Sequence, residues 1–214
     1  GSTELCWLDL AEWRERGGYP DAGRPGIRGW TTIPLGVVTL SERLPEPDDM
    51  DEAARRAWYE SLKAEVRKEM RFPKGARRMR PLFEQGRAHM VGTSGTVTSV
   101  AGVHLNLVRY DRNQVDGLWV NADDARKACD RLSTKDAAGR AGEGCIGTER
   151  ADLVVAGCAI LEAVMDAWPV PKLRVGDRGL REGLLLNLIY PKRKRGRRGR
   201  KARGRGKSSS GAAA

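Results

Sequence analysis

The sequence predicts an α/β lobe, a mixed sheet flanked by helices, on three observations. Strand-like and helix-like segments alternate after residue 45, the pattern of helices covering a sheet. The first two strand candidates are joined as a hairpin, so the sheet mixes strand directions. A long, almost wholly apolar helix over 149–167 needs cover on most of its sides.

Taken in order, residues 2–10 read as the first strand, running through Leu5-Cys6-Trp7-Leu8. Residues 12–26 are rich in Gly, Pro and charge and read as an extended hairpin connection. Trp30-Thr31-Thr32-Ile33 is the second strand, stopped by Pro34 and Gly36. At 37–44 the β-branched Val37, Val38 and Thr39 favour strand. Asp48 is a good N-cap for an acidic helix start. That helix runs to about Arg71, with Ala54, Trp58, Leu62, Val66 and Met70 on one stripe, and Pro73 and Gly75 end it. After the basic connection Arg77, Arg78 and Arg80 come a strand over 88–91, a glycine-hydroxyl turn and an apolar helix over 97–108. Residues 114–120 are a short strand or turn, and Asn121 caps a helix through Leu132. Residues 133–147 form a loop with four glycines. The apolar helix follows, then a strand over 173–175 and a last helix over 179–190. Residues 1–190 make one domain. Residues 191–214, an Arg/Lys/Gly run followed by Ser and Ala, contain nothing to bury and are expected to be a disordered tail.

The formal charge of +11 belongs to that tail. Eleven of the 39 basic residues lie between Lys192 and Lys207 with no acid among them, and the other 28 match the 28 acidic residues. The globular part therefore has no whole-domain signature of nucleic-acid binding. Four cysteines stand at 6, 129, 145 and 158, without a Cys-x-x-Cys pair, and the only histidines are His89 and His104, so a tetrahedral zinc site is poorly supported. Cys6 and Cys158 read as small core residues, and so do both histidines as satisfied interior groups. The cysteine pattern fits a reducing, cytoplasmic setting. No apolar run approaches a membrane span, so no membrane partner is expected.

Two clusters carry candidate chemistry. Gly1-Ser2-Thr3-Glu4 opens directly into a strand, and Gly92-Thr93-Ser94-Gly95-Thr96 links a strand to a helix. Small residues at a sharp turn aim N–H groups and hydroxyls outward, the arrangement that holds phosphate oxygens. Each has a plainer reading: Gly1-Ser2 as a cloning remnant, and Gly92–Thr96 as a tight turn with a hydroxyl N-cap. Arg178 and Arg181 read either as surface ion pairs with Asp177 or Glu182, or, for Arg181, as a phosphate partner. The tail reads as a solvated extension or as an electrostatic arm for polyphosphate or nucleic acid without sequence preference.

Five segments in order resemble one family. They are Gly1–Leu5, Ile33–Glu42, Gly92–Thr98, Glu149–Gly157 and Asp177–Leu185, and the family is that of exopolyphosphatases and guanosine pentaphosphate phosphohydrolases, the Ppx/GppA phosphatases. The resemblance spans residues 1–189 and implies the actin-like ATPase, ribonuclease-H-like fold, of which this chain looks like the second lobe alone, entered within a phosphate loop. It implies a helix at 37–44 in place of the strand that propensity favours. It also implies phosphate contacts from Gly1, Ser2, Thr3, Gly92, Thr93, Ser94, Gly95, Thr96 and Arg181, with Glu4 holding Mg²⁺ directly or through water. The water-activating glutamate is then expected from the first lobe. The implied activity is release of terminal phosphate from inorganic polyphosphate or guanosine pentaphosphate, absent from this lobe in isolation. The implied partner is the first lobe, and a face left uncovered invites homodimers. The alternative is a non-catalytic module that grips polyanions through its tail.

Overall fold

The computed structural model describes residues 1–18 and 25–189; the expected tail at 191–214 lies outside the described residues. Strand β1 (Thr3–Asp9) and strand β2 (Gly26–Ile33) form an antiparallel hairpin with a bulge between Trp7 and Leu8. Between them α1 (Ala11–Glu15) is helical, where an extended connection was expected. The other strands are β3 (Met90–Gly92), β4 (Trp119–Asn121) and β5 (Lys172–Val175). They form a mixed three-stranded sheet in which β5 is central, parallel to β3 and antiparallel to β4. The mixed sheet is thus present, with the hairpin as a separate two-stranded sheet.

Helix α2 (Val37–Arg43) forms despite its β-branched start, because Leu40 is fully buried against the core and Pro34 bars a continuing strand. Helix α3 (Glu52–Glu69) is capped by Asp51, whose carboxylate accepts the Ala54 N–H at 2.7 Å; Asp48 lies outside it. Its buried face is Tyr59, Leu62, Val66 and Met70, and Ala54 points to solvent. Short helices α4 (Lys74–Arg77) and α5 (Arg80–Glu84) fill the basic connection. Helix α6 (Gly95–His104) starts earlier and ends earlier than expected. Helix α7 (Arg112–Val115) occupies the first part of the 114–120 segment and β4 its end. Helix α8 (Ala122–Ser133) follows Asn121, whose side chain bonds the Asp124 carboxylate and caps no backbone N–H. Helices α9 (Ala137–Ala141) and α10 (Thr148–Ala151) give structure to the expected glycine loop and its edge. Helices α11 (Val154–Ala167) and α12 (Leu180–Ile189) complete the chain.

Core formation centres on α11. Twelve consecutive residues, Val154 to Met165, are buried, and α2, α3, α6 and α8 pack on them. Trp7, at the inward face of β1, ties the hairpin to this body: its ring meets Trp168 at 5.0 Å and Phe72 at 5.9 Å, edge to face. Cys6, the neighbour of Trp7, is exposed because successive strand residues face opposite ways, so it is not a core residue. Cys129, Cys145 and Cys158 are buried. His89 and His104 are half-buried, and His89 stacks on the Trp119 ring at 5.0 Å instead of entering the core.

A buried ion network anchors the segment between α2 and α3. The Arg140 guanidinium, 0% exposed, binds both carboxylate oxygens of Glu46 and donates to the Lys135 and Ala151 carbonyls. Arg55 reaches the same carboxylate. Removing one partner strands a buried charge, so Arg140→Ala is expected to lower the unfolding free energy by about 3–5 kcal/mol. Urea denaturation measures this, and a loss below about 1 kcal/mol, the size of a surface pair, would assign the network no structural weight.

Candidate active site

The first cluster lies against the turn that enters α2. A Cβ on Gly36 would stand 2.8 Å from the Gly1 carbonyl carbon and 3.0 Å from the Ser2 nitrogen, so the two backbones approach as closely as only glycine allows. Gly1 N also donates to Thr39 Oγ1 at 3.0 Å. Ser2 Oγ donates to Glu4 Oε1 at 2.7 Å. The Thr3 hydroxyl donates to the Leu35 carbonyl at 2.8 Å, so that donor is committed inward and not offered to an anion. Glu4 already lies within β1, with its side chain exposed.

The second cluster forms the entry to α6. Gly92 ends β3, Thr93 is exposed, and Ser94 takes the N-cap position in an extended conformation, its Oγ accepting from the Val97 N–H at 3.4 Å. Gly95 and Thr96 then supply first-turn N–H groups, and among the described residues nothing accepts from them. Such a helix start favours anions. The Thr96 side chain turns the other way, onto α11: a Cβ on Gly157 would lie 2.2 Å from Thr96 Oγ1 and 2.7 Å from its Cγ2. The Thr96 hydroxyl is therefore a packing group, and the group Thr96 leaves open at the helix start is its backbone N–H. Only a glycine at 157 lets α6 approach α11 this closely.

Arginines meet this entry from a direction sequence reasoning missed. Arg150, on α10, has Nη1 3.9 Å from the Cβ position of Gly95. With Arg109 it flanks an open concavity of about 260 Å³, floored by Cys145, Ile146 and Gly147 and walled by Tyr110. Neither arginine has a carboxylate partner among the described residues. Arg150 sits inside the segment Glu149–Gly157, where an arginine next to an acidic residue and ahead of an apolar run reads as a helix start and nothing more. The burial of Tyr110 and its hydrogen bond to Asp177, at 2.8 Å, raise its hydroxyl above the usual tyrosine range.

The closing turn is bound to the same region by ion pairs. Arg112 Nε stands 3.1 Å from Asp177 Oδ2. Asp116 accepts the Asp177 N–H at 2.9 Å and pairs with Arg178 at 3.0 Å, so Arg178 is bound to Asp116 and not to Asp177 or Glu182. The Asp177 N–H, and after it Arg178, hold the Asp116 carboxyl below the usual range. Arg181 is exposed on α12 without a hydrogen bond or ion pair among the described residues, and the chain ahead of that helix meets the second cluster, where Gly176 N donates to the Gly92 carbonyl at 2.8 Å. No hydrogen bond joins Gly1–Glu4 to Gly92–Thr96 among the described residues. What they share is backing, since α2 and α6 both pack on α11. Among the described residues no group of three or more His, Cys, Asp or Glu could hold a metal, and no helix is long and apolar enough to cross a membrane.

Comparison with solved structures defines the class first: an α/β lobe of the actin-like ATPase fold. A Ppx/GppA family member from Aquifex aeolicus superposes with a TM-score of 0.63 at 24% identity, covering 88% of this chain and 53% of its own. An exopolyphosphatase-like protein gives 0.66 at 22%, covering 88% and 56%. An exopolyphosphatase from Cytophaga hutchinsonii gives 0.58 at 18%, covering 77% and 50%. The chain thus spans about half the length of the solved structures it matches. No curated protein matches it. The family model of the Ppx/GppA phosphatase family matches residues 1–191, and the chain belongs to that family.

The α6–α11 contact generates a test. Gly157→Ala is expected to destabilise the fold by about 1–3 kcal/mol, the range for overpacking. Because Thr96 Oγ1 and Cγ2 are the nearest atoms, adding Thr96→Ala is expected to recover part of that loss. A double-mutant cycle by thermal unfolding reads the coupling; strictly additive effects would mean that the two residues do not meet.

Proposed function

We propose that this chain is the second lobe of a two-lobed phosphoanhydride hydrolase that releases terminal phosphate from inorganic polyphosphate or guanosine pentaphosphate. The observation that carries this reading is the start of α6. Two unpartnered N–H groups, from Gly95 and Thr96, stand beside an arginine without a carboxylate, in a chain of the Ppx/GppA phosphatase family. Fixed donors of this kind act on charge that develops in a transition state, at no cost of reorganisation. In the proposed reaction, water attacks the terminal phosphorus, a new P–O bond forms, and the bridging P–O bond breaks. The shortened chain leaves, and the water proton passes to a base from the other lobe. Arg150 and the α6 amides hold the non-bridging oxygens, and Ser2 with the Gly1–Ser2 backbone serves the other side of the phosphate.

Glu4 is suited to Mg²⁺ only in a particular way. It is a lone exposed carboxylate, partly engaged by Ser2, which fits an ion that keeps most of its waters and takes its other ligands from substrate oxygens. When bound, Mg²⁺ neutralises charge on those oxygens.

Two observations support the lobe assignment. The chain corresponds to about half of each solved relative. Helix α12 also presents Leu180, Leu184, Leu185, Leu186, Leu188 and Ile189 exposed, around most of its circumference, within the family-matched region. A helix apolar around most of its girth is built for burial, and the first lobe is the proposed cover; homodimerisation is the alternative use of the same surface.

Residues 1–214 alone are expected to release no significant phosphate from either substrate with Mg²⁺, and turnover is expected when a first lobe is supplied by fusion or in trans. In the restored enzyme, Arg150→Ala is expected to lower kcat/KM by about 100-fold, the size of losing one oxyanion-type donor, and Glu4→Gln to lower it strongly. Phosphate release assays decide. Robust turnover by the chain alone, or an unaffected Arg150→Ala enzyme, would refute the assignment.

A further inference from the structure

We propose that the open face of the β3–β5–β4 sheet is an exosite that holds the body of a long inorganic polyphosphate chain on Lys172 and Arg174. The proposal rests on the phosphoanhydride-hydrolase reading and names the polymer as its substrate class.

Strand alternation builds the face. β5 buries Leu173 and Val175 and turns Lys172 and Arg174 to solvent. The register puts Arg174 between Val91 and Trp119, and Lys172 opposite Asn121. Val91, Trp119 and Asn121 are all exposed, so no described element covers this side. Lys172 Nζ stands 4.5 Å from the Trp119 ring centre and Arg174 Cζ 5.2 Å. The indole thus holds both cations in place and lowers the ordering entropy they would otherwise lose on meeting a ligand.

The balance of charge is what points to a ligand. Elsewhere on the surface, Arg43, Arg56, Arg67, Arg112 and Arg178 each meet a carboxylate, while Arg71, Arg77, Arg78, Arg87 and Arg181 are exposed without an ion pair among the described residues; what sets this face apart is that two such cations share one indole ring. Arg14, Lys172 and Arg174 are exposed, and none of them has an ion-pair partner among the described residues. His89, stacked on Trp119, feels the result: burial lowers its proton affinity first, and then Arg14, Lys172 and Arg174 lower it further. Like charges gathered without a counter-charge repel, a cost an anion relieves.

The same geometry selects between polyanions. Nucleic-acid platforms offer free aromatic faces to bases, whereas Trp119 is already engaged by two cations, and a base must displace one to stack. An inorganic chain, charged at every phosphoryl unit and without bases, needs only the cations. The site is separate from the basic tail in sequence, and its own residues report on it.

The test uses the full chain. Lys172 acetylation, followed by mass spectrometry, is expected to be slowed severalfold by long-chain polyphosphate and little by pyrophosphate. Lys172→Gln with Arg174→Gln is expected to weaken polyphosphate binding at least threefold. It should also reduce the log–log salt slope by about 1.4, two contacts at about 0.7 each as for single-stranded chains. Lys172→Arg is expected to keep both. Equal acetylation with and without long-chain polyphosphate, or an unchanged affinity in the double variant, would overturn the proposal. Stronger protection by single-stranded RNA at matched phosphate would overturn it too, making the face a nucleic-acid surface. Protection of Lys172 reads binding without turnover, so it holds or fails independently of the hydrolysis assays.

Discussion

The contact between Thr96 and Gly157 is the constraint on which the rest of the molecule depends. It lets the Thr96 side chain pack directly on the α11 backbone, where Gly157 has no side chain of its own, and so fixes where α6 begins relative to the core. The start of α6 is where the unpartnered amides of Gly95 and Thr96 stand. Their position is therefore set by burial of an apolar helix as well as by the turn that leads into it. A site built on a packed element keeps its geometry without help from a ligand, the condition under which fixed dipoles act on a reacting phosphoryl group.

The ion networks have a matching logic. Glu46, Arg55 and Arg140 hold the segment before α3 to α9, and Arg140 also bonds the Ala151 carbonyl at the end of α10, the helix that carries Arg150. Asp116, Asp177 and Arg112 bind the closing turn to the segment carrying Tyr110. Several basic residues that serve architecture are paired, while Arg109, Arg150, Lys172 and Arg174 are among those without a carboxylate partner among the described residues. A globular part that is neutral in sum thus shows local cationic regions that a charge count hides.

Much of the fold was legible in the sequence. The apolar run within 149–167, the hydroxyl cap in the 92–96 cluster and the strands on either side of the first hairpin follow from period and capping chemistry, whereas the cap of α3 is Asp51 and not Asp48, and Cys6 faces solvent. Other features were not. Propensity favours strand for Val37–Thr39, and only the burial of Leu40 in the assembled core makes the segment helical. The glycines at 139, 142, 144 and 147 suggested an open loop, yet a buried arginine organises that region through partners about 90 residues away in sequence. In the site, the glycine-hydroxyl cluster at 92–96 was readable, but which hydroxyls face outward was not. Thr3 bonds inward to Leu35 and Thr96 packs on α11, because each sits where the tertiary contact and not the local turn sets the rotamer. Arg150 carries no local signal of its role; its neighbour in space is Gly95, 55 residues away in the chain.

The central claim is that the start of α6, beside Arg150, is a preformed phosphate site. Backbone amide NMR of the full chain during titration with tripolyphosphate tests it most directly. The account predicts saturable shifts of the Gly95 and Thr96 amides that are lost in Arg150→Ala, while the α11 amides stay unchanged. Shifts confined to residues 192–207, with Gly95 and Thr96 unmoved at saturation, would contradict it.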